Sequence, residues 1–162
     1  MFFHRDYVFN YVATVVNNTY DGLRITSRRE PVSKVFPIVY IHEMNRTRPY
    51  QYATLASDDD QWVSTFEAEV YTNDSNGNID SAFGIMDIVE GAFKALGYFM
   101  TFCQPIDNID PLIVRINARF ERQLGAGDVI PEPPTPPSEE TPTEQTPTEQ
   151  TPSSENQGEI NG

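Results

Sequence analysis

The sequence predicts an α+β domain: a mainly antiparallel sheet of about five strands with two packed helices, in the order α-β-β-β-α-β-β, and a disordered C-terminal tail. Three observations predict it. Residues 62–72 and 112–121 alternate apolar and polar side chains, the period of a half-buried strand. Residues 82–96 carry apolar side chains at helical spacing. Beyond Gly125 the chain turns to Pro, Thr and Glu, with TPTEQ, TPTEQ and TPSSE starting at Thr141, Thr146 and Thr151. Such a segment buries too little surface to offset its ordering entropy. The folded domain is therefore expected over residues 1–125 and the tail over 126–162, and the grouping of helices and strands suits helices packed on a sheet.

In chain order, Val8, Tyr11, Val12 and Val15 make a helical stripe with Asp6 as its cap, although the β-branched content also suits a strand. Asn17-Asn18 and Asp21-Gly22 end the helix, and Leu23 to Ser27 reads as a short strand. FPIVYIHEM, residues 36–44, reads as an apolar strand with Phe36, Ile38, Tyr40, His42 and Met44 on one face. A long polar connection is expected from Asn45 to Gln61, containing RTRPYQY and Asp58-Asp59-Asp60. In the next strand Trp62, Phe66, Ala68 and Val70 face one way, and Thr65, Glu67 and Glu69 the other. Asn78 or Asp80 caps the second helix, whose face is Ala82, Ile85, Met86, Val89, Phe93 and Leu96, with Gly97 as the left-handed terminator. Gly84 and Gly91 weaken that helix, and close packing against the sheet would explain them. Tyr98 to Gln104 is expected to be a strand ended by Pro105, and Leu112 to Glu121 the last strand.

The net charge is −13, and the eight carboxylates beyond Arg122 carry −8 of it, which leaves the body at −5 from eleven basic and sixteen acidic residues. An acidic body with only two lysines argues against a phosphate-binding groove. A single cysteine excludes an intramolecular disulfide and a cysteine-based zinc site. No secretory signal is visible, and no run approaches the ~18 apolar residues of a membrane span. The protein is expected to be soluble and made in a cytoplasm.

Catalytic chemistry finds no assembled candidate. Cys103 needs a base and a group that lowers its pKa, and His42 reaches it only if their strands are neighbours with matching faces. A structural cysteine is the plainer reading. His42-Glu43 lacks the second histidine of a zinc-protease helix, because Arg46 stands there. Asp74, Asn76, Gly77, Asn78 and Asp80 resemble a calcium loop, but aligning Gly77 puts Thr72 and Phe83 at its ends. No cofactor or metal is expected. What remains is surface: Arg46, Arg48, Tyr50 and Tyr52 combine residue types favoured at contact centres, and the edges of a small sheet offer unpaired backbone groups.

The succession SKVFPIVYIHEMNRT, FEAEVYTND, ALGY, TFCQPIDN and IVRINARFE resembles the tail-completion, or tail-terminator, proteins of long-tailed bacteriophages. The positions that carry the resemblance are Phe36-Pro37, Glu43, Leu96-Gly97-Tyr98, Pro105, Arg115, Ala118, Arg119 and Phe120, within a match from Met1 to Leu124. The tail lies outside it. The resemblance implies an α+β virion protein, not an enzyme, whose copies form a ring, usually hexameric, on the head-proximal end of the tail tube. Such a ring ends tube polymerisation and presents a surface to the head connector or head-completion protein, with DNA only in transit and no membrane partner. It would be assembled in the host bacterial cytoplasm and end in the neck of the virion. The alternatives are another neck, head-completion or minor capsid protein, a binding module whose acidic tail recruits a basic partner, and a small cysteine enzyme using Cys103 and His42.

Overall fold

The structure, a computed structural model, describes residues 4–28, 35–48, 61–73, 79–125, 128 and 131. Among these, two helices and five strands follow the expected order: α1 (His4–Thr19), β1 (Arg24–Thr26), β2 (Ile38–Thr47), β3 (Trp62–Asn73), α2 (Ile79–Ala95), β4 (Phe99–Ile106) and β5 (Ile113–Leu124). The domain is α+β. The sheet order is β1-β2-β3-β5-β4, antiparallel throughout except where β1 runs parallel to β2.

In α1, Val8, Tyr11, Val12 and Val16 are buried, while Val15 is only half-buried, so the stripe runs through Val16 instead. Tertiary packing decides for helix over the β-branched propensity, and Thr14 and Thr19 return their hydroxyls to the carbonyls of Asn10 and Val15, at 2.8 and 2.9 Å. Asp6 is not the cap, because the helix already starts at His4. It sits in the first turn beside Arg5 at 3.1 Å, where a carboxylate meets the positive end of the helix dipole. Gly22 takes φ 77°, a left-handed turn that leads into β1.

α2 buries the face that its periodicity predicts, together with Ala92. Its end is a Schellman motif. Gly97 at φ 78° donates to the Lys94 carbonyl at 2.9 Å, and Tyr98 donates to the Phe93 carbonyl at 3.0 Å. The accompanying apolar contact is Tyr98 edge-on to Phe93, with centroids 5.5 Å apart. Both helices cover one face of the sheet. There Phe66 and Phe120 lie opposite each other across β3 and β5, and Phe93 stacks on Phe120 at 4.3 Å.

Several expectations need correction. Gly84 and Gly91 are exposed, and a Cβ built on either would meet nothing within 4 Å, so close packing does not explain them. β3 is more than half-buried. As a central strand it hides Thr65 and Glu69 on the helix-free side as well, with Glu69 only 1% exposed. Pro105 does not end β4, because it pairs with Ile116 inside the strand. β4 is an edge strand, where a missing N–H can face solvent. β2 runs on to Thr47, so Asn45, Arg46 and Thr47 belong to a strand rather than to the polar connection. The expected tail lies outside the described residues except at two points. Asp128 pairs with Arg122 at 3.5 Å, and the Tyr7 hydroxyl donates to the Pro131 carbonyl.

Candidate functional site: the open sheet face and its edges

Two bulges decide where the chemistry-bearing side chains point. In β2 the register skips Met44, and in β4 it skips Thr101. Residues three apart in a regular strand lie on opposite faces, but one inserted residue restores them to the same face. Glu43 and Arg46 thus both turn toward the helices. Arg46 makes a two-pronged contact with Glu43, Nε to Oε1 at 3.0 Å and a terminal nitrogen to Oε2 at 3.1 Å. Ser64 donates to the same Oε1 at 2.9 Å, and Tyr98 donates to the Ser64 oxygen at 3.1 Å. Burial pushes the Tyr98 hydroxyl up to about 12, with the Ser64 hydrogen bond opposing. Arg46 is thus bound into the body.

Arg48, by contrast, is exposed and lies over the Trp62 ring at 4.7 Å. Tyr50 and Tyr52 lie outside the described residues, as do Asp58-Asp59-Asp60 and Asp74 to Asn78. Of the four proposed contact residues, Arg48 is the one the structure describes at the surface.

The bulge in β4 places Cys103 on the helix side opposite Ala118, packed against the core. Burial pushes its thiol pKa up, and Glu90 and Asp87 add to that, which opposes a thiolate. His42 is on β2 and pairs across to Glu67, on the face away from the helices. β3 and β5 stand between β2 and β4, so His42 and Cys103 occupy opposite faces of non-adjacent strands. The structure does not bring them together. Among the described residues no cluster of three or more His, Cys, Asp or Glu side chains could hold a metal ion.

The helix-free face is polar and connected. Arg115 donates to Glu69, whose other oxygen accepts from Tyr71 at 2.6 Å. Asn117 donates to Glu67 at 2.7 Å and to Glu69 at 3.2 Å. His42 stacks on Tyr40 with centroids 4.8 Å apart and approaches Glu67 at 3.6 Å. Arg119 covers the Phe102 ring at 5.4 Å. Buried Nδ1 of His42, Nε of Arg115 and Oδ1 of Asn117 have no hydrogen-bond partner. Those three atoms are buried and not offered outward, but the charges of this face are held in place by one another, which suits contact with another surface more than reaction with a small molecule.

Two features escaped the sequence reading. The turn between β4 and β5 leaves Ile109 fully exposed (106%) and Leu112 exposed at 48%. The signal available was an isoleucine in the middle of DNIDP, where turn chemistry asks only for Asn, Asp and Pro. Beside the first turns of α1, along β2 past the end of β1, lies a cleft of about 560 Å³. No local pattern signals it, since four separate segments form it. Comparison of the chain with known protein families and with curated proteins finds no match.

Proposed function

We propose that this protein is a structural virion component. It forms a ring on the head-proximal end of a phage tail tube, terminates tube polymerisation and joins tail to head. The observation that carries this reading is the asymmetry of the sheet. Among the described residues helices cover one face only, and the two lateral edges differ, β1 with β2 on one side and the bulged, proline-bearing β4 on the other. A subunit with unlike edges suits head-to-tail contacts, which close into a ring when the rotation per subunit allows.

Some residues of the phage-family resemblance fall where the chain turns or shifts register, and others lie within strands. Phe36-Pro37 precede β2, Glu43 adjoins the first bulge, Leu96-Gly97-Tyr98 form the Schellman motif, and Arg115 and Arg119 line the open face of β5. A body of net charge −5 suits a lumen through which DNA passes without being held. The partners on this reading are further copies of the chain, the tail tube protein and the head connector, and the protein ends in the virion neck.

Purified chain added to isolated tail tubes tests the proposal by electron microscopy. The expected result is a ring at one end of each tube and arrested growth when free tube subunits are supplied. Binding to DNA-filled heads with none to tubes would replace this reading by a head-completion role.

A further inference from the structure

The strand registers line up one row across the whole sheet, Arg24, Ile38, Tyr71, Arg115 and Ile106 on β1, β2, β3, β5 and β4. At this row, or within two residues of it, β1, β2 and β5 begin and β3 and β4 end. The same end of the domain receives the end of α1 and the start of α2. Five strands at ~4.8 Å spacing make it roughly 19 Å wide.

Seven large apolar side chains are exposed among the described residues, and five of them stand at this end: Tyr20 after α1, Val35 before β2, Ile79 at the start of α2, and Ile109 and Leu112 in the β4–β5 turn. The other two are Met44 in the β2 bulge and Phe99 at the opposite end, where β4 begins. Single exposed apolar residues are ordinary, but their gathering at one end marks a contact surface. The turn is held in shape. The Leu112 amide donates to the Asp110 carboxylate at 3.0 Å, and the Asn108 side chain donates to the Ile113 carbonyl at 3.1 Å. Such preorganisation lowers the entropy lost on docking.

The charge of this end narrows the partner. Asp21, Asp80, Asp107 and Asp110 are exposed there. Among its described residues Arg24 answers them, while Arg115 is spent on Glu69. Four carboxylates against one guanidinium leave a net −3. Nucleic acid and anionic lipid would be repelled, and a second copy set end to end would place acid against acid. A protein surface with aliphatic side chains ringed by lysine or arginine matches both the apolar groups and the charge. With the lateral edges closing the ring, the strand ends are left for its two axial faces. A terminator competes with further tube subunits for the tube end, and burial of apolar area supplies affinity for that competition.

We propose that this end of the domain docks on the end of the tail tube through Tyr20, Val35, Ile79, Ile109 and Leu112, against a tube surface that carries basic residues around apolar ones. The inference rests on the ring reading above for its partner and adds to it the face that meets the tube.

Full-length variants and isolated tail tubes test it. One variant carries Ile109→Ser and Leu112→Ser, a second Asp21→Lys and Asp107→Lys, and a control Met44→Ser. All five positions are exposed, so every variant should melt as the wild type does. By sedimentation each should also self-associate as the wild type does. Electron microscopy should show the first two variants capping tubes roughly tenfold or more weakly, with the control unchanged. Wild-type capping should weaken as salt rises, and the lysine variant should lose that dependence. If the first two variants cap tubes as the wild type does, another surface meets the tube and the ring reading stands without this inference. Capping that is intact while joining to heads is lost would give this end to the head connector and overturn the inference. So would lost self-association, which would make this end a contact between copies, or an equal loss in the control. A wild type that leaves tubes uncapped would overturn the ring reading itself and this docking with it.

Discussion

β3 is buried on both of its faces, and by opposite means. On the helix side Phe66, Ala68 and Val70 are fully buried, with Phe93 against Phe66 and stacked on Phe120, and polar groups enter only at the Ser64 end, where Tyr98, Ser64 and Glu43 are linked. On the other side Glu69 is buried just as deeply among Arg115, Tyr71 and Asn117. The dry face draws its stability from removing apolar area from water, which is insensitive to direction. The ionic face depends on each charge keeping its partner, since a buried charge without one costs several kcal/mol. One strand thus serves as core on one side and as a prearranged polar surface on the other.

The largest break in this comparison is Phe93→Ala, which removes the ring that touches Phe66, Tyr98 and Phe120. It should cost about 3–5 kcal/mol in chemical denaturation. Arg115→Ala should cost somewhat less, about 2 kcal/mol, because the Arg115 side chain is one-fifth exposed and Glu69 keeps other hydrogen bonds. Replacing both charges, Glu69→Leu with Arg115→Met, should restore most of that loss. If it does not, the polar face is not an electrostatic pair but a wider network.

Tyr98 links the two regimes, a phenol inside the apolar cluster that reaches Ser64 and Glu43. Its folded pKa lies above the unfolded value, raised from 10.0 to about 12. The stabilisation from keeping it neutral is fully present below pH 10 and is lost as pH rises toward 12, up to roughly 3 kcal/mol. Tyr98→Phe should flatten stability against pH in that window, as measured by thermal melts.

On the exposed side of α2, Gly84→Ala and Gly91→Ala should each stabilise the fold by about 1 kcal/mol, since the added methyl meets open space. A gain in melting temperature together with weaker assembly would mark that side of α2 as a contact. The smallest effect concerns the chain end. Truncation after Pro131 should leave the melting temperature unchanged, whereas truncation after Gly125 removes the Asp128–Arg122 pair and should cost up to about 1 kcal/mol.

The order of elements, the apolar face of α2, its glycine terminator and the alternation of β3 and β5 were all legible from residues at most a few positions apart. The periods of 3.6 and 2 are local properties of the backbone. The residues of the candidate surface were legible only in part. Arg46 and Arg48 read alike in RTRPYQY, yet one is bound to Glu43 and the other lies exposed over Trp62. Cys103, by strict alternation, would share a face with Thr101 and not with Met100. The extra residue in β4 puts Cys103 and Met100 together on the core side.

Sequence alone thus determined which segments are helix or strand and which residues of each could be apolar together. Tertiary structure decided which strands are neighbours, where the two bulges reset the phase, and hence that Glu43 and Arg46 meet while His42 and Cys103 do not. The reason is physical. Periodicity is set by each residue's own backbone angles, but register is set by hydrogen bonds to a partner strand tens of residues away, and one inserted residue exchanges inside for outside.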